Sequence, residues 1–172
     1  MASIKHDVWE DNEGASLCFS GELGEENRTL LGKDAKIIFS FYADSHFNAM
    51  TQYYKYMGYG VYTTMYEIDK IPYDLKELEA RAKIRGIIDK ILWEDWDPIS
   101  VNDIAPRDEY WDYVPAIVGL VLQGASTEEV SNKLFYFETD TMGVNVNGTK
   151  EHCNAIAVKI MQECTKYLIE PR

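Results

Sequence analysis

The apolar pattern of the N-terminal part of the chain predicts a small β-sheet. Two short apolar runs on either side of the turn-forming Asn-Glu-Gly at 12–14 predict a hairpin. Residues 36–43, KIIFSFYA, are rich in β-branched and aromatic side chains and predict a buried strand. Residues 60–68, GVYTTMYEI, predict a further strand. Between the last two runs, Ser45 and Gly58 are typical of the start and the end of one helix.

Downstream of Pro72 the apolar residues recur at helical spacing. Residues 73–95 predict an amphipathic helix, and 106–122 predict a second one with a kink or a break at Pro115. A third helix is expected from Ser126, which stands three residues before a glutamate as in a capping box. The last helix carries an apolar stripe of Cys153, Ile156, Ala157, Ile160, Met161, Cys164 and Leu168.

Together these elements predict an α+β protein, with a small N-terminal β-sheet and one helix followed by a C-terminal half of about four helices. The expected regions are a mixed α/β region at 1–72 and a helical region at 73–172. A chain of 172 residues suits one domain or two small halves that share a core. Both arrangements stay open.

Composition and charge narrow the functional classes. Hydrophobic residues make up 46% of the chain and aromatic residues 13%, which is typical of a folded protein. The formal net charge is −12, and the excess of acids is spread along the chain. Such a surface repels phosphate groups and anionic lipid, so we expect neither nucleic-acid nor membrane binding. It favours a cationic partner, or it serves solubility alone.

The cysteines and apolar segments predict a cytoplasmic protein. Its three cysteines lack CxxC spacing, which indicates reduced thiols with a structural role. The N-terminus has no apolar run of the length that a signal peptide needs, and the run near 114–122 is too short to span a bilayer.

No stretch carries a catalytic or metal-binding motif. The histidines at 6, 46 and 152 have no metal-ligand spacing, and the chain has neither a GxSxG elbow nor a phosphate-binding glycine loop. We therefore expect no enzyme activity, no metal and no cofactor. One alternative stays open, a small enzyme or ligand-binding protein with a pocket formed by His46, Tyr53 and Tyr54, because His46 stands at a strand-to-helix turn beside a tyrosine cluster.

The segment 94–112 is the strongest candidate for a partner-binding face. It holds seven acids and a single base, Arg107, with tryptophans interleaved. Aromatic side chains within an acidic field are suited to gripping a basic protein surface. The predicted partner-binding residues are Glu94, Asp95, Trp96, Asp97, Asp103, Asp108, Glu109, Trp111 and Asp112.

Two parts of the chain resemble uncharacterised bacterial proteins. The first resemblance is to a helical module with a Trp-Asp-Pro-Ile-Gly-Val turn, an Asp-Glu-Tyr-Asp run and a Glu…Met-Gly ending. The residues that match the module are Trp96, Asp97, Pro98, Ile99, Val101, Asp108, Glu109, Tyr110, Gly124, Glu138, Met142 and Gly143. Ser100 departs from its usual glycine, and Trp111 falls inside the Asp-Glu-Tyr-Asp run. The second resemblance covers SHFNAMTQYYKYMGYGVYTT, at 45–64.

Some proteins that resemble the helical module are immunity proteins of contact-dependent growth inhibition toxin systems. The resemblance therefore implies an immunity protein that binds and neutralises a cognate toxin. Since nuclease toxins need basic nucleic-acid surfaces, the acidic chain predicts a basic, nuclease-type toxin domain as its partner. The oligomeric state stays open.

Overall fold

The computed structural model describes residues 3–102, 104–144 and 149–168. The chain divides into two units, Met1–Glu79 and Ala80–Arg172. The architecture is α+β, as the sequence predicts, with a three-stranded antiparallel sheet in the first unit and helices through most of the second.

The sheet of the first unit has the strand order β2-β1-β3. Its strands are β1 (Ile4–Asp11), β2 (Gly14–Phe19) and β3 (Lys36–Ala43). The carboxylate of Asp11 accepts hydrogen bonds from the backbone N–H groups of Glu13 and Gly14, so the two-residue hairpin turn is fixed locally. The predicted hairpin and the predicted strand at 36–43 are both confirmed.

Two helices belong to the first unit. The short α1 (Glu25–Thr29) was not predicted, whereas α2 (His46–Met57) begins and ends where the sequence indicates. Ser45 Oγ accepts a hydrogen bond from the N–H of Asn48, and Gly58 ends the helix with φ +72°, a conformation that favours glycine. The core of the unit is formed by Val8, Phe41, Ala43, Ala49 and Tyr53.

The strand predicted at 60–68 is wrong. This segment is an irregular loop that leads into the 3₁₀ turn Glu67–Lys70. The central strand β1 is already paired on both sides, by β2 and by β3. Val61 and Met65 lie in solvent rather than on a buried sheet face, and without a strand partner β propensity alone does not form a strand.

Most of the second unit is helical. Its elements, with α3 beginning just before the boundary, are α3 (Leu75–Ile91), the π-helical turn Leu92–Trp96, α4 (Val114–Leu122), α5 (Thr127–Tyr136), the π-helical turn Phe137–Thr141 and α6 (Thr149–Cys164). Ser126 and Glu129 form the predicted capping box of α5. Of the predicted stripe, Cys153, Ile156, Ala157, Ile160 and Cys164 are core residues, and both cysteines are fully buried. Met161 and Leu168 are partly buried against this core, and Leu168 lies beyond the end of α6.

The second helix begins later than predicted. Residues 106–113 form successive turns, and α4 starts only at Val114. Pro115 thus lies in the first turn of α4, where its missing N–H has no helical partner to lose. The proline marks the start of a helix instead of a kink within one.

Candidate functional site

The predicted partner-binding segment 94–112 contains two aromatic residues that are core residues. Trp96 and Tyr110 are each 1% exposed and belong to the main core of the second unit. Trp96 is therefore not the exposed anchor that the sequence predicts. Because LWEDW at 92–96 continues directly from α3 as a π-helical turn, Trp96 follows the buried face of that helix into the core.

Trp96 takes part in a buried hydrogen-bond cluster. Its Nε1 donates to Glu138 Oε1 over 2.6 Å, and Cys153 Sγ donates to the same oxygen over 3.2 Å. Glu138 is 1% exposed, and its Oε2 has no hydrogen-bond partner among the described residues. Trp96 and Glu138 each lie on a π-helical turn, so the hydrogen bond joins two irregular helix ends that are 42 positions apart in the chain.

The cysteine of this cluster is not arranged for nucleophilic catalysis. Burial, and next the hydrogen bond to Glu138, raise the pKa of the Cys153 thiol to about 12. The adjacent His152 directs its Nε2 to the backbone oxygen of Trp96, 2.9 Å away. Since a nucleophilic thiol needs a lowered pKa and a base in reach, Cys153 is a structural residue.

Asp97 stabilises the turn that follows the buried Trp96. Its Oδ1 accepts hydrogen bonds from the Tyr110 hydroxyl over 2.6 Å and from the Val101 N–H over 2.9 Å. Burial, and next the Asp97 carboxylate, raise the pKa of Tyr110 far above its ordinary value. Asp97 is therefore part of the internal structure of the turn, and its replacement would test folding rather than binding.

The same turn places Ser100 in the left-handed region, with φ +54°. This conformation costs a non-glycine residue about 1–2 kcal/mol, a cost that glycine avoids. Glycine in turn loses about 0.5–1 kcal/mol more conformational entropy on folding, which offsets part of the gain. We expect Ser100→Gly to raise the free energy of unfolding by about 0.5–1 kcal/mol in urea titrations. Ile99→Gly, at an exposed neighbour outside the positive-φ region, is the matched control and should destabilise. A destabilised Ser100→Gly protein would contradict the prediction.

Two further acids of the segment already have cationic partners. Asp95 accepts a hydrogen bond from Lys159 Nζ over 2.7 Å, which raises the pKa of Lys159. Glu94 lies 3.8 Å from Lys90 Nζ across one helical turn. These carboxylates contribute less to an acidic surface than the sequence predicts.

Arg107, the single base of the segment, also has a partner within the protein. It forms a bidentate ion pair with Asp89 over 3.1 and 2.7 Å, and its guanidinium lies over the Trp93 ring at 5.1 Å. Arg107 therefore does not neutralise the acids next to it in sequence.

What remains of the predicted face lies at 108–112. The side chains of Asp108, Glu109 and Asp112 are exposed and form no ion pair within the described part of the chain. Trp111, between Glu109 and Asp112 in the sequence, is half-buried. Asp103, the other predicted contact residue, lies outside the described residues. The structure thus reduces the predicted face to three carboxylates that form no ion pair with the described residues and to one half-buried tryptophan beside them in the sequence.

Of the alternative ligand-binding residues on α2, His46 lies at the first position, and Tyr53 and Tyr54 lie together about two turns later, with their rings 6.2 Å apart. His46 is exposed. Tyr53 is buried, and its hydroxyl donates to the backbone oxygen of Ala15 over 2.8 Å. Tyr54 is half-buried and packs edge-on against the Tyr59 ring at 5.6 Å. Tyr53 is thus a core residue, and its hydroxyl is already used inside the protein.

An open cavity of ≈ 410 Å³ lies near the C-terminal end of α2, roughly 16 Å along the helix from His46. It is lined by Glu10, Asp11, Asn12, Glu13, Gly14, Ala15, Asp34, Lys36, Met57 and Tyr59. Lys36 lies 3.5 Å from Glu10, and the Asp11 carboxylate accepts the N–H of Gly32 in addition to the turn N–H groups. The lining is therefore acidic, with an apolar part contributed by Met57 and Tyr59.

Sequence reasoning missed an exposed apolar segment at 59–71. Its large apolar side chains that face solvent are Tyr59, Val61, Met65, Tyr66, Ile68 and Ile71. Single exposed apolar residues are ordinary on protein surfaces, but contiguous groups mark interaction sites. The sequence signal for this segment is the apolar run at 60–68, whose composition predicts a strand.

Among residues 3–102, 104–144 and 149–168, no group of three or more metal-ligating side chains is placed to hold an ion, and no helix has the length and apolar character needed to cross a membrane. Comparisons with protein families, with curated proteins and with solved structures find no match to this chain.

Proposed function

We propose that the protein is a toxin-neutralising immunity protein that binds a cognate, basic, nuclease-type toxin domain. In this proposal it acts in the cytoplasm, without a cofactor and without enzyme activity, as part of a contact-dependent growth inhibition system. The observation that carries the proposal is the exposure of Asp108, Glu109 and Asp112, which neighbour Trp111 in sequence and form no ion pair with the described residues, on a chain of net charge −12.

The physical argument concerns association. Exposed carboxylates without cationic neighbours are not neutralised by an ion pair, so they attract a basic surface and speed its encounter with the chain, most strongly at low salt. A nuclease needs basic residues to hold its nucleic-acid substrate. An acidic protein that covers this basic surface would block the substrate and neutralise the toxin.

The test is binding of the purified chain to the polypeptide encoded immediately upstream of its gene. A triple charge reversal, Asp108→Lys, Glu109→Lys and Asp112→Lys, is expected to slow association by about 10-fold or more and to weaken its salt dependence. Association rates would be measured by stopped flow at several salt concentrations.

The matched control applies the same change of charge elsewhere. Glu22, Glu79 and Glu163 are exposed acids in other parts of the chain, and their replacement by lysine should slow association much less. Equal effects of both triple variants would show that total charge, not the 108–112 group, steers binding. Failure of the wild-type chain to bind the upstream polypeptide would contradict the proposed function itself.

A further inference from the structure

The exposed apolar segment 59–71 has the properties of a contact surface. Val61 is 88% exposed, Met65 85% and Ile68 73%, although all three are residue types that are usually buried. Their exposure falls within eight consecutive positions. Exposed apolar side chains of this kind lose unfavourable contact with water when a partner covers them.

The segment is held in place from its inner side. Tyr62 is half-buried, with its ring 5.0 Å from that of Tyr54 and 5.8 Å from that of Phe47. Thr64 Oγ1 donates to the Asp69 carboxylate, and the 3₁₀ turn Glu67–Lys70 contacts α2. The apolar side chains are therefore presented by an anchored backbone, so a partner would bind at a low cost in ordering.

An acidic cavity adjoins the segment at its first residue. Tyr59 lines the cavity and stands two positions before Val61 in the chain. Glu13 and Asp34 in its lining form no ion pair with any residue that the structure describes. The aliphatic part of a lysine or arginine side chain could lie along Met57 and Tyr59, with its cationic end toward these two carboxylates.

We infer that the segment 59–71 and the adjoining cavity are the centre of the interface with the basic toxin domain. Val61, Met65 and Ile68 cover an apolar part of the partner, and the cavity takes one of its cationic side chains. This inference rests on the proposed function and locates its tightest contacts on the first unit. In this arrangement the carboxylates at 108–112 raise the association rate, whereas the apolar segment lowers the dissociation rate.

Charge argues against a second copy of the chain as the occupant. Residues 1–79 hold 14 acidic and 7 basic side chains, so two such units would bring like charge together at their interface. The negative charge that repels a second copy attracts a basic partner.

The test uses the upstream-encoded polypeptide as the probe, with its nuclease activity removed by mutation. The triple variant Val61→Ser, Met65→Ser and Ile68→Ser removes apolar area without changing the net charge. We expect its dissociation rate from the probe to rise on the order of 10- to 100-fold, with little change in the association rate. Surface plasmon resonance would measure both rates.

The control variant carries the same change at three exposed apolar residues elsewhere, Leu30→Ser, Leu122→Ser and Val158→Ser. It should dissociate from the probe at nearly the wild-type rate. Circular dichroism would show that both variants fold.

A second experiment tests the cavity. The double variant Glu13→Gln with Asp34→Asn is expected to weaken binding on the order of 10-fold, because the partner's cationic side chain loses the two carboxylates that it contacts.

The outcomes separate the two proposals. If the wild-type chain binds the probe and the 61/65/68 variant dissociates no faster, the surface assignment is overturned while the proposed function stands. If the wild-type chain does not bind the probe, the proposed function fails and the assignment falls with it. A wild-type dimer in sedimentation equilibrium that the 61/65/68 variant converts to monomer would identify a second copy as the occupant and overturn the basic partner.

Discussion

Replacing Trp96 by alanine is expected to lower the free energy of unfolding by about 3–5 kcal/mol. The indole is almost completely buried, and its ring packs beside those of Tyr110, Tyr113 and Phe137 at 5.5, 5.8 and 6.5 Å. Its removal leaves a cavity in the core of the second unit and deprives Glu138 of a donor. Urea unfolding followed by far-ultraviolet circular dichroism would measure the change.

The matched control for this prediction is Trp111→Ala. Trp111 is half-buried on the same segment and makes no side-chain hydrogen bond with the described residues. Its truncation should cost much less stability than that of Trp96. Equal losses for the two variants would show that Trp96 is not the core residue described above. Trp96→Phe retains most of the ring volume and provides a folded protein if the alanine variant does not fold.

The second large effect concerns the Trp96–Glu138 hydrogen bond. Glu138→Leu leaves the Trp96 Nε1 and the Cys153 thiol without their acceptor, and Trp96→Phe leaves the carboxylate without its indole donor. Each single change should destabilise the protein, because an unpaired buried polar group costs about 1–3 kcal/mol. Combining the two replaces both partners by apolar groups. We expect the double variant to lose less stability than the sum of the singles, by about 1–3 kcal/mol.

A double-mutant cycle in urea measures this coupling. Glu138→Gln is the conservative control, since its amide oxygen can still accept from the indole, and it should cost less than Glu138→Leu. Additive effects of Trp96→Phe and Glu138→Leu would mean that the hydrogen bond contributes nothing beyond the packing of its two side chains.

Features fixed by neighbouring residues could be predicted from the sequence. The start of α2 at Ser45, its end at Gly58 and the capping box of Ser126 with Glu129 each depend on backbone groups within a few positions. The α6 stripe was predictable because regular spacing places its members on one face.

The wrong predictions concern features that depend on distant partners. Residues 60–68 have the composition of a strand, but they pair with neither edge strand of the sheet, β2 or β3. Residues 106–113 were expected to be helical, yet they form turns, with Tyr110 directed to Asp97 13 positions earlier. Local propensity contains no information about either partner.

The candidate site was predictable only as a surplus of charge. Asp97 and Asp108 are the same residue type in the same acidic segment, but Asp97 holds a turn together and Asp108 is exposed without an ion pair among the described residues. Lys159, which pairs with Asp95, is 64 positions away in the chain. Sequence spacing could not separate the internal acids from the free ones.

Several of the residues that carry the module resemblance have structural roles in this protein. Two pairs of matching residues are joined by hydrogen bonds: Trp96 donates to Glu138 in the core, and Tyr110 donates to Asp97 in the turn that follows Trp96. The position at which glycine is usual is the one with φ +54°, Ser100. We therefore interpret this pattern as a determinant of folding. Of the residues proposed for partner binding, Val61, Met65 and Ile68 fall outside it, whereas Asp108 and Glu109 belong to it.

The burial of every cysteine makes this chain suited to site-specific labelling. Cys18, Cys153 and Cys164 are free but buried, and burial raises the pKa of each thiol. Under mild conditions a maleimide dye would leave them unmodified and react with one cysteine introduced at an exposed position such as Met65. A fluorophore there would sit on the proposed contact surface and report its occupation directly, with the three native cysteines left in place.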